Sequence, residues 1–138
     1  MNGRQKSILA SAVVGLALVV GFQSGMAQQA APTENKGVTV KPLNALNLAS
    51  ELPGMAGRQL RMRMITVEPN GVLALHDHVE RPALDYVVQG TVIDHRGSEM
   101  KEYGAGTSIS ENTKVVHWVE NKGTTPAVVI AVDIFKQP

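Results

Sequence analysis

The fold of this chain is decided by residues 71–90, GVLALHDHVERPALDYVVQG, where two histidines stand one residue apart at the end of an apolar run. Successive side chains of a β-strand point to opposite faces, so His76 and His78 are expected on one face, roughly 6.5 Å apart along the strand. Glu80 joins that face if the strand continues. Imidazole nitrogens and a carboxylate oxygen are suitable ligands for a divalent first-row metal. The spacing therefore predicts a metal site.

Short segments of β-type composition, separated by turn residues, follow one another along the chain. They are residues 59–67, 72–78, 84–88, 91–95, 100–103, 107–110, 115–120 and 126–135. Regular short strands with no long helical pattern between them predict an all-β sandwich or barrel. The apolar segment 126–135 is expected in the middle of a sheet. Residues 43–52 are expected to form a helical turn or two.

A third histidine strengthens the metal hypothesis. A His-x-His pair alone is frequent by chance on exposed strands and is a weak signal. His117 lies in another predicted strand, eleven residues after Gly106 and four before Asn121. The case for a metal therefore rests on whether His117 meets His76 and His78.

Taken together, these residues resemble the two signature motifs of the cupins. The matching positions are Gly71, His76, His78 and Gly90 in the first motif and Gly106, His117 and Asn121 in the second. The resemblance covers about residues 60–135 and is to small, quercetin-dioxygenase-like cupins. It implies a jelly roll, the double-stranded β-helix, whose metal is held by three histidines and a glutamate. By position, the three histidines are His76, His78 and His117.

The chain departs from the cupin pattern at the glutamate. That position is Ala83 here, and the proline of the second motif is missing, with Glu111 and Asn112 in its neighbourhood. Glu80, Asp85 or a water molecule could complete the ligand set. We favour three histidines with Glu80 nearby, and rank Asp85 lower because it lies deeper along its strand.

Other polar and bulky side chains receive roles by strand alternation. Glu80 and His95 are the candidate proton carriers, although Glu80 beside Arg81 equally fits a surface ion pair. His95 is expected at the end of a hairpin. Trp118 points away from the face of His117. Met62 and Met64, which lie in the segment 59–67, are expected in the core.

The predicted function is that of a metal-dependent enzyme acting on a small organic molecule, most plausibly an oxygenase. A metal-dependent isomerase or lyase, and a non-catalytic cupin that binds a small molecule or a metal, are the alternatives. The chain has no cysteine and no serine in a nucleophile elbow, which excludes thiol and serine nucleophiles. The ligand types do not distinguish Fe, Mn, Ni, Cu and Zn.

The beginning of the chain is interpreted as an export signal. Arg4 and Lys6 precede a short apolar core, residues 8–22, and Ala27 offers a cleavage site. That core is shorter than the roughly 20 residues that span a bilayer. We expect a signal peptide over residues 1–27, a flexible leader over 28–37 and the cupin domain over 38–138. The mature protein is then periplasmic or secreted and not membrane-bound.

Charge limits the partners. Without Arg4 and Lys6, the chain carries 11 basic and 12 acidic residues, and it has no basic run. Nucleic acid is therefore not an expected partner. A small molecule is the expected ligand, and a homodimer through an edge strand at residues 59–67 is the expected assembly.

Overall fold

A computed structural model describes residues 29–137, and every regular element in that range is a β-strand. The strands are β1 (Lys36–Asn47), β2 (Arg58–Asp77), β3 (Ala83–Gln89), β4 (Thr91–Arg96), β5 (Glu99–Gly104), β6 (Ser108–Glu111), β7 (Val116–Glu120) and β8 (Ala127–Lys136). Among the described residues, no helix is long and apolar enough to cross a membrane. The predicted signal peptide lies outside these residues.

The strands form one antiparallel sheet that rolls into a nearly closed barrel, as predicted. Its order is β5-β4-β7-β2-β8-β3-β6, and β1 lies beside β2. The long strand β2 joins the two halves of the barrel, because residues 58–67 pair with β8 and residues 72–77 pair with β7. The turn predicted at residues 68–71 is a bend inside this strand, where Asn70 has a φ of 60°. The fold is therefore the predicted jelly roll.

The barrel interior has an apolar part and a charged part. Ile65, Val129 and Val87 are paired across β2, β8 and β3, and they belong to the hydrophobic core. Two residues further along each strand, at the next inward positions, lie arginine and aspartate side chains. Strand alternation places all these residues on the inner face. One end of the barrel interior is therefore apolar, and the other end is polar.

The interpretation of Met62 and Met64 as core residues is wrong. Met62 is 40% exposed, and the inward positions of this part of β2 belong to Arg61 and Arg63. Both guanidinium groups bind the buried carboxylate of Asp133, with Nη2–Oδ2 distances of 2.8 and 2.9 Å. A buried charge requires such partners, so Asp133 turns the arginines inward and the methionines outward.

One further expectation fails at the beginning of the domain, and another holds only in part. Residues 59–67 do not form an edge, because β1 covers one side and β8 the other. Residues 43–47 continue β1, and a single helical turn follows at residues 48–52, where the amides of Glu51 and Leu52 donate to the Leu48 carbonyl at 3.2 and 3.0 Å. β1 is exposed at nearly every position, so it lacks the period-two pattern that identifies a strand from sequence. The prediction that residues 126–135 lie inside a sheet is confirmed, because β8 runs between β2 and β3.

The last residues of the predicted leader form hydrogen bonds with the barrel. β1 begins at Lys36, two residues before the predicted domain start. Ahead of it, the Leu75 amide donates to the carbonyl of Pro32 at 2.9 Å, and the Ala74 amide donates to Asn35 Oδ1 at 2.8 Å. These contacts hold residues 32–35 beside the strand that carries His76.

Gly90 closes the connection between β3 and β4 at a place where no side chain fits. Its φ is 70°, and a Cβ atom there would lie 2.9 Å from both the Ala127 Cα and the Pro126 oxygen. Gly97, in the next turn, has a φ of 61° but no atom within 4 Å of such a Cβ. A side chain at Gly97 would therefore cause backbone strain alone, whereas a side chain at Gly90 would cause backbone strain and steric overlap.

Gly90→Ala is expected to lower the free energy of unfolding by about 2–4 kcal/mol, since strain and overlap add. Gly97→Ala, which carries the strain alone, should lose only about 1 kcal/mol. Urea denaturation followed by the fluorescence of Trp118, the one tryptophan, measures both. Equal losses would show that the contact with residues 126–127 is not a constraint.

Candidate metal centre

Three imidazoles converge inside the polar end of the barrel. His76 is at the end of β2, His78 follows it, and His117 is the antiparallel partner of His76 on β7. The Nε2 atom of His117 lies 3.0 Å from that of His76 and 3.1 Å from that of His78. All three ligand atoms lie within 4.8 Å of one another. The residues that the sequence singled out are thus brought to one point.

The other ring nitrogen of each histidine faces an oxygen that accepts hydrogen bonds. These oxygens are the carbonyls of Ala74 and Arg81 and the carboxylate of Asp94, at 2.8, 3.0 and 2.7 Å from Nδ1 of His76, His78 and His117. Because the acceptors carry no proton, each Nδ1 must donate. In the neutral tautomer, each Nε2 then directs a lone pair at the other two. Three such lone pairs require a cation or a proton between them, and the cluster could hold a metal ion.

Glu111 is the functional candidate that sequence reasoning missed. Its side chain is 4% exposed and lies at the end of β6. One carboxylate oxygen is 3.0 Å from His78 Nε2, and the other is 3.4 Å from His117 Nε2. A buried carboxylate against two of the three imidazoles is a candidate for a fourth, anionic ligand. The only signal was its place in the second motif, where a proline was expected.

Two neighbouring histidines of the cluster have pKa values that are shifted in opposite directions. Burial lowers the pKa of His76, which has no carboxylate partner of its own. Burial also disfavours the charged form of His78, but the hydrogen bond and the negative charge of Glu111 outweigh it and raise the pKa of His78. His78 and Glu111 therefore form the position where a cation, proton or metal, is held best.

Asp94 orients the third histidine. It is 2% exposed, accepts from His117 at 2.7 Å through one oxygen, and accepts from Arg96 Nε at 2.7 Å through the other. Burial alone would raise the pKa of Asp94, but these two partners lower it, so the carboxylate stays ionised. Such a carboxylate fixes the tautomer and raises the basicity of a ligating imidazole. Nothing in the local sequence distinguished Asp94 from other strand-end acids.

The structure does not bring Glu80 to the cluster. Glu80 has a φ of 57°, and its side chain is 54% exposed. Its two carboxylate oxygens lie 3.4 Å from Arg58 Nη2 and 3.4 Å from Lys136 Nζ. The positive φ reverses the chain just after His78 and sends the side chain to the surface. The alternative of a surface ion pair therefore describes Glu80, although with partners other than Arg81.

His95 is also outside the cluster. It follows Asp94 on β4, so its side chain points to the opposite face of the strand. Its Nε2 lies 2.8 Å from Glu120 Oε1, and its ring stacks on Trp118 with centroids 3.6 Å apart. Trp118 lies on that side, opposite to His117, as predicted. The pair His95–Glu120 thus forms a separate polar contact on the outside of the sheet.

Asp85 faces the interior beside the cluster, as its strand parity predicted. It lines a cavity of about 100 Å³ together with the three histidines and Glu111. Burial, reinforced by the negative charge of Glu111, raises the pKa of Asp85 to about 7. Its Oδ1 atom is buried and has no hydrogen-bond partner among the described residues. Asp85 is therefore placed to meet a ligand rather than to hold the cluster.

The donor set is suited to a divalent metal. Three imidazole nitrogens and one carboxylate are suitable ligands for Fe, Mn, Ni, Cu or Zn, and the buried carboxylate of Glu111 would help to balance the charge of such an ion. The remaining walls include the apolar residues Ile65, Leu73, Val119 and Ala131. The arrangement can hold an ion and expose it to a small, enclosed space.

Comparison with known proteins agrees with this architecture. The barrel is similar to that of a predicted oxalate decarboxylase from Thermotoga maritima, with 18% identity, 78% of this chain and 96% of that chain covered, and a TM-score of 0.59. It is also similar to a protein with a double-stranded β-helix domain from Klebsiella pneumoniae, with 16% identity, 75% of this chain and 82% of that chain covered, and a TM-score of 0.59. An oxalate oxidase shares the fold at 21% identity, with 70% and 50% covered and a TM-score of 0.54.

At these identities the similarity concerns the fold alone. Among curated proteins, no sequence is close enough to count as a match. The family model of the cupin domain, Cupin_2, matches residues 63–133. That match includes all three histidines and covers more than half of the chain, and the chain therefore belongs to the cupin domain family.

Proposed function

We propose that this chain is an exported, metal-dependent enzyme of the oxygenase type that acts on a small organic molecule. The observation that carries the proposal is the convergence of three oriented imidazoles and the Glu111 carboxylate beside an enclosed cavity. When bound there, a divalent first-row metal supplies Lewis-acid chemistry and, for Fe, Mn, Ni or Cu, redox chemistry.

The residues of the chain supply position, charge and exclusion of water. Asp94 and two backbone carbonyls hold the imidazoles in one tautomer, so that no reorganisation is needed on binding. Glu111 contributes the negative charge that a buried cation requires. The apolar walls lower the local dielectric constant and strengthen these interactions. Glu80 and His95 have no part in this proposal, because their recorded contacts lie outside the cluster.

The size of the cavity limits the substrate. Pockets for drug-sized ligands measure roughly 300–1,000 Å³, whereas the cavity beside the histidines measures about 100 Å³. This volume favours a substrate of a few carbon atoms over a flavonoid-sized one. A metal-dependent isomerase or lyase, or a cupin that binds without turnover, would use the same ligands. Two relatives in fold are described as acting on oxalate, which is a molecule of this size.

The mature protein, residues 28–138, is expected to bind about one equivalent of a divalent metal and to consume oxygen with a small organic acid, diketone or phenol. His76→Ala should lose both, while Val116→Ala on the exposed face of β7 should keep both. Elemental analysis and an oxygen electrode measure the two properties. Metal uptake without oxygen consumption would favour the isomerase, lyase or binding alternatives. Equal metal content in wild type and His76→Ala would reject the metal centre.

Glu111 takes the place of the carboxylate that is absent at Ala83. The two residues are direct partners in the pairing of β3 with β6. Side chains opposite each other on one face of an antiparallel pair have Cβ atoms about 4.5–5.5 Å apart. A glutamate at either position can therefore send its carboxylate to the same space. Ala83 leaves room for this, and a larger side chain there would compete with Glu111.

Glu111→Ala is expected to weaken metal binding about 10–100-fold, the range known for groups that support a metal site. The double variant Ala83→Glu/Glu111→Ala should recover most of the affinity, because the carboxylate returns from the neighbouring strand. Glu102→Ala, on the exposed strand β5, is the matched control. Competition with a chromogenic chelator measures the affinities. No loss in Glu111→Ala would show that three histidines suffice.

We also propose that the protein is a homodimer, formed through the outer face of the sheet rather than through residues 59–67 as an edge. Ten outward residues of β2, β8 and β3 carry no charge: Leu60, Met62, Met64, Thr66, Val128, Ile130, Val132, Ile134, Leu84 and Tyr86. Leu84 and Tyr86 are 62% and 50% exposed, and a groove of about 400 Å³ runs beside Leu84. Apolar surfaces of this kind mark interfaces.

A second copy of the chain is the occupant that this face favours. A two-fold axis would bring the face against itself, and no unpaired charge would be buried. Sedimentation equilibrium should give twice the mass of the mature chain for wild type and Met100→Lys, and a single mass for Leu84→Lys. Met100 is 69% exposed and lies on β5, away from this face. A monomeric wild type at micromolar concentration would refute the interface.

A further inference from the structure

The wall of the cavity opposite the histidines carries more positive than negative charge. Asp133, whose side chain is fully buried, receives three guanidinium groups. They belong to Arg61, Arg63 and Arg81, with closest N–O distances of 2.8, 2.9 and 3.5 Å. Burial would raise the pKa of Asp133, but these partners lower it, so it is ionised. One carboxylate cannot neutralise three cations. Two of the three, Arg63 and Arg81, line the cavity.

Asp85 is the only further carboxylate that faces these arginines from the cavity wall among the described residues, apart from Glu111 of the metal centre. The three arginines and the carboxylates of Asp133, Asp85 and Glu111 balance one another, so a divalent metal held by the histidines and Glu111 would leave the site with an excess of positive charge. An anionic ligand beside the metal would compensate that excess.

Arg63 and Asp85 face each other across a gap that the sheet has left open. In the pairing of β2, β8 and β3, both residues lie beside Ala131, one on each side. Neighbouring strands are about 4.8 Å apart, so the two side chains start roughly 10 Å from each other above a single methyl group. Arg63 Nε and Asp85 Oδ1 are buried and have no hydrogen-bond partner among the described residues. A larger residue than Ala131 would close this space.

Unpaired buried donors and acceptors are costly, and native proteins satisfy nearly all of them. Here one donor and one acceptor lie on the same cavity, next to the metal centre. A ligand that satisfies both must offer an acceptor, preferably charged, to the arginines and a donor to Asp85. A carboxylate that also carries a hydroxyl or enol group has this pattern. Sulfate has no proton to donate to Asp85 and would bring a second negative charge against it.

We propose that the cavity binds a small hydroxy-carboxylate, with its carboxylate on Arg63 and Arg81 and its hydroxyl group on Asp85. This substrate class rests on the proposed function, because the same molecule lies against the metal centre. The cavity of about 100 Å³ is well below the roughly 300–1,000 Å³ of pockets for drug-sized ligands, so the ligand is small.

Calorimetric titration of the metal-loaded mature protein with glycolate, acetate and glycolamide tests the proposal. Wild type should bind glycolate at least fivefold more tightly than acetate, and glycolamide at least tenfold more weakly than glycolate. Arg63→Gln and Arg81→Gln should each weaken glycolate binding about tenfold. Arg58→Gln, which removes an arginine paired with Glu80 at the surface, should change it less than twofold. Asp85→Ala should bring acetate and glycolate within twofold of each other.

Metal content and circular dichroism of the same samples separate the possible failures. If wild type holds no metal, the proposed function fails. If it holds metal and glycolate binds equally to wild type, Arg63→Gln and Arg81→Gln, the metal alone binds the ligand and the subsite is refuted. If Arg63→Gln does not fold, Arg81→Gln decides, since its contact with Asp133 is the longest of the three. An unchanged preference for glycolate in Asp85→Ala refutes the role of Asp85.

Discussion

The organisation of this protein depends on one electrostatic constraint, the meeting of three imidazole lone pairs inside a barrel. Each lone pair is directed inward because Nδ1 of the same ring donates to a backbone carbonyl or to Asp94. The strands β2 and β7 must therefore hold His76 and His117 in register, and the turn after Asp77 must return His78 to the same point. A cation would stabilise this geometry, and Glu111 and Asp94 are placed to compensate its charge.

A second charged group shapes the other wall. Asp133 follows six apolar residues of β8, and it turns Arg61 and Arg63 inward. Because side chains alternate along β2, the inward orientation of the arginines places Leu60 and Met62 on the outer face, where they are about 40% exposed. One buried carboxylate thus accounts for two features, the positive charge beside the cavity and the apolar outer surface of the sheet. Both are consequences of strand alternation rather than of separate signals.

The histidine cluster also shows how a motif can be altered while a carboxylate still reaches the same place. The carboxylate expected at Ala83 is absent, and that of Glu111, the residue directly opposite on β6, lies against His78. Cross-strand partners occupy the same region of a sheet face, so exchange between them preserves the position of the functional group. A larger side chain at Ala83 would compete with Glu111 for that region.

Local alternation and motif spacing were sufficient to predict strands β2 to β8 (with β2 as two segments), the all-β barrel and the three histidines, but not β1, which is exposed at nearly every position. Their convergence, the inward turn of Arg63 and the approach of Glu111 and Asp94 depend on pairings between residues 23 to 70 positions apart. Glu80 and His95 lay near the motif in sequence, but a positive φ and strand alternation directed them elsewhere. Only the tertiary structure decides such contacts, since register between distant strands sets which side chains meet.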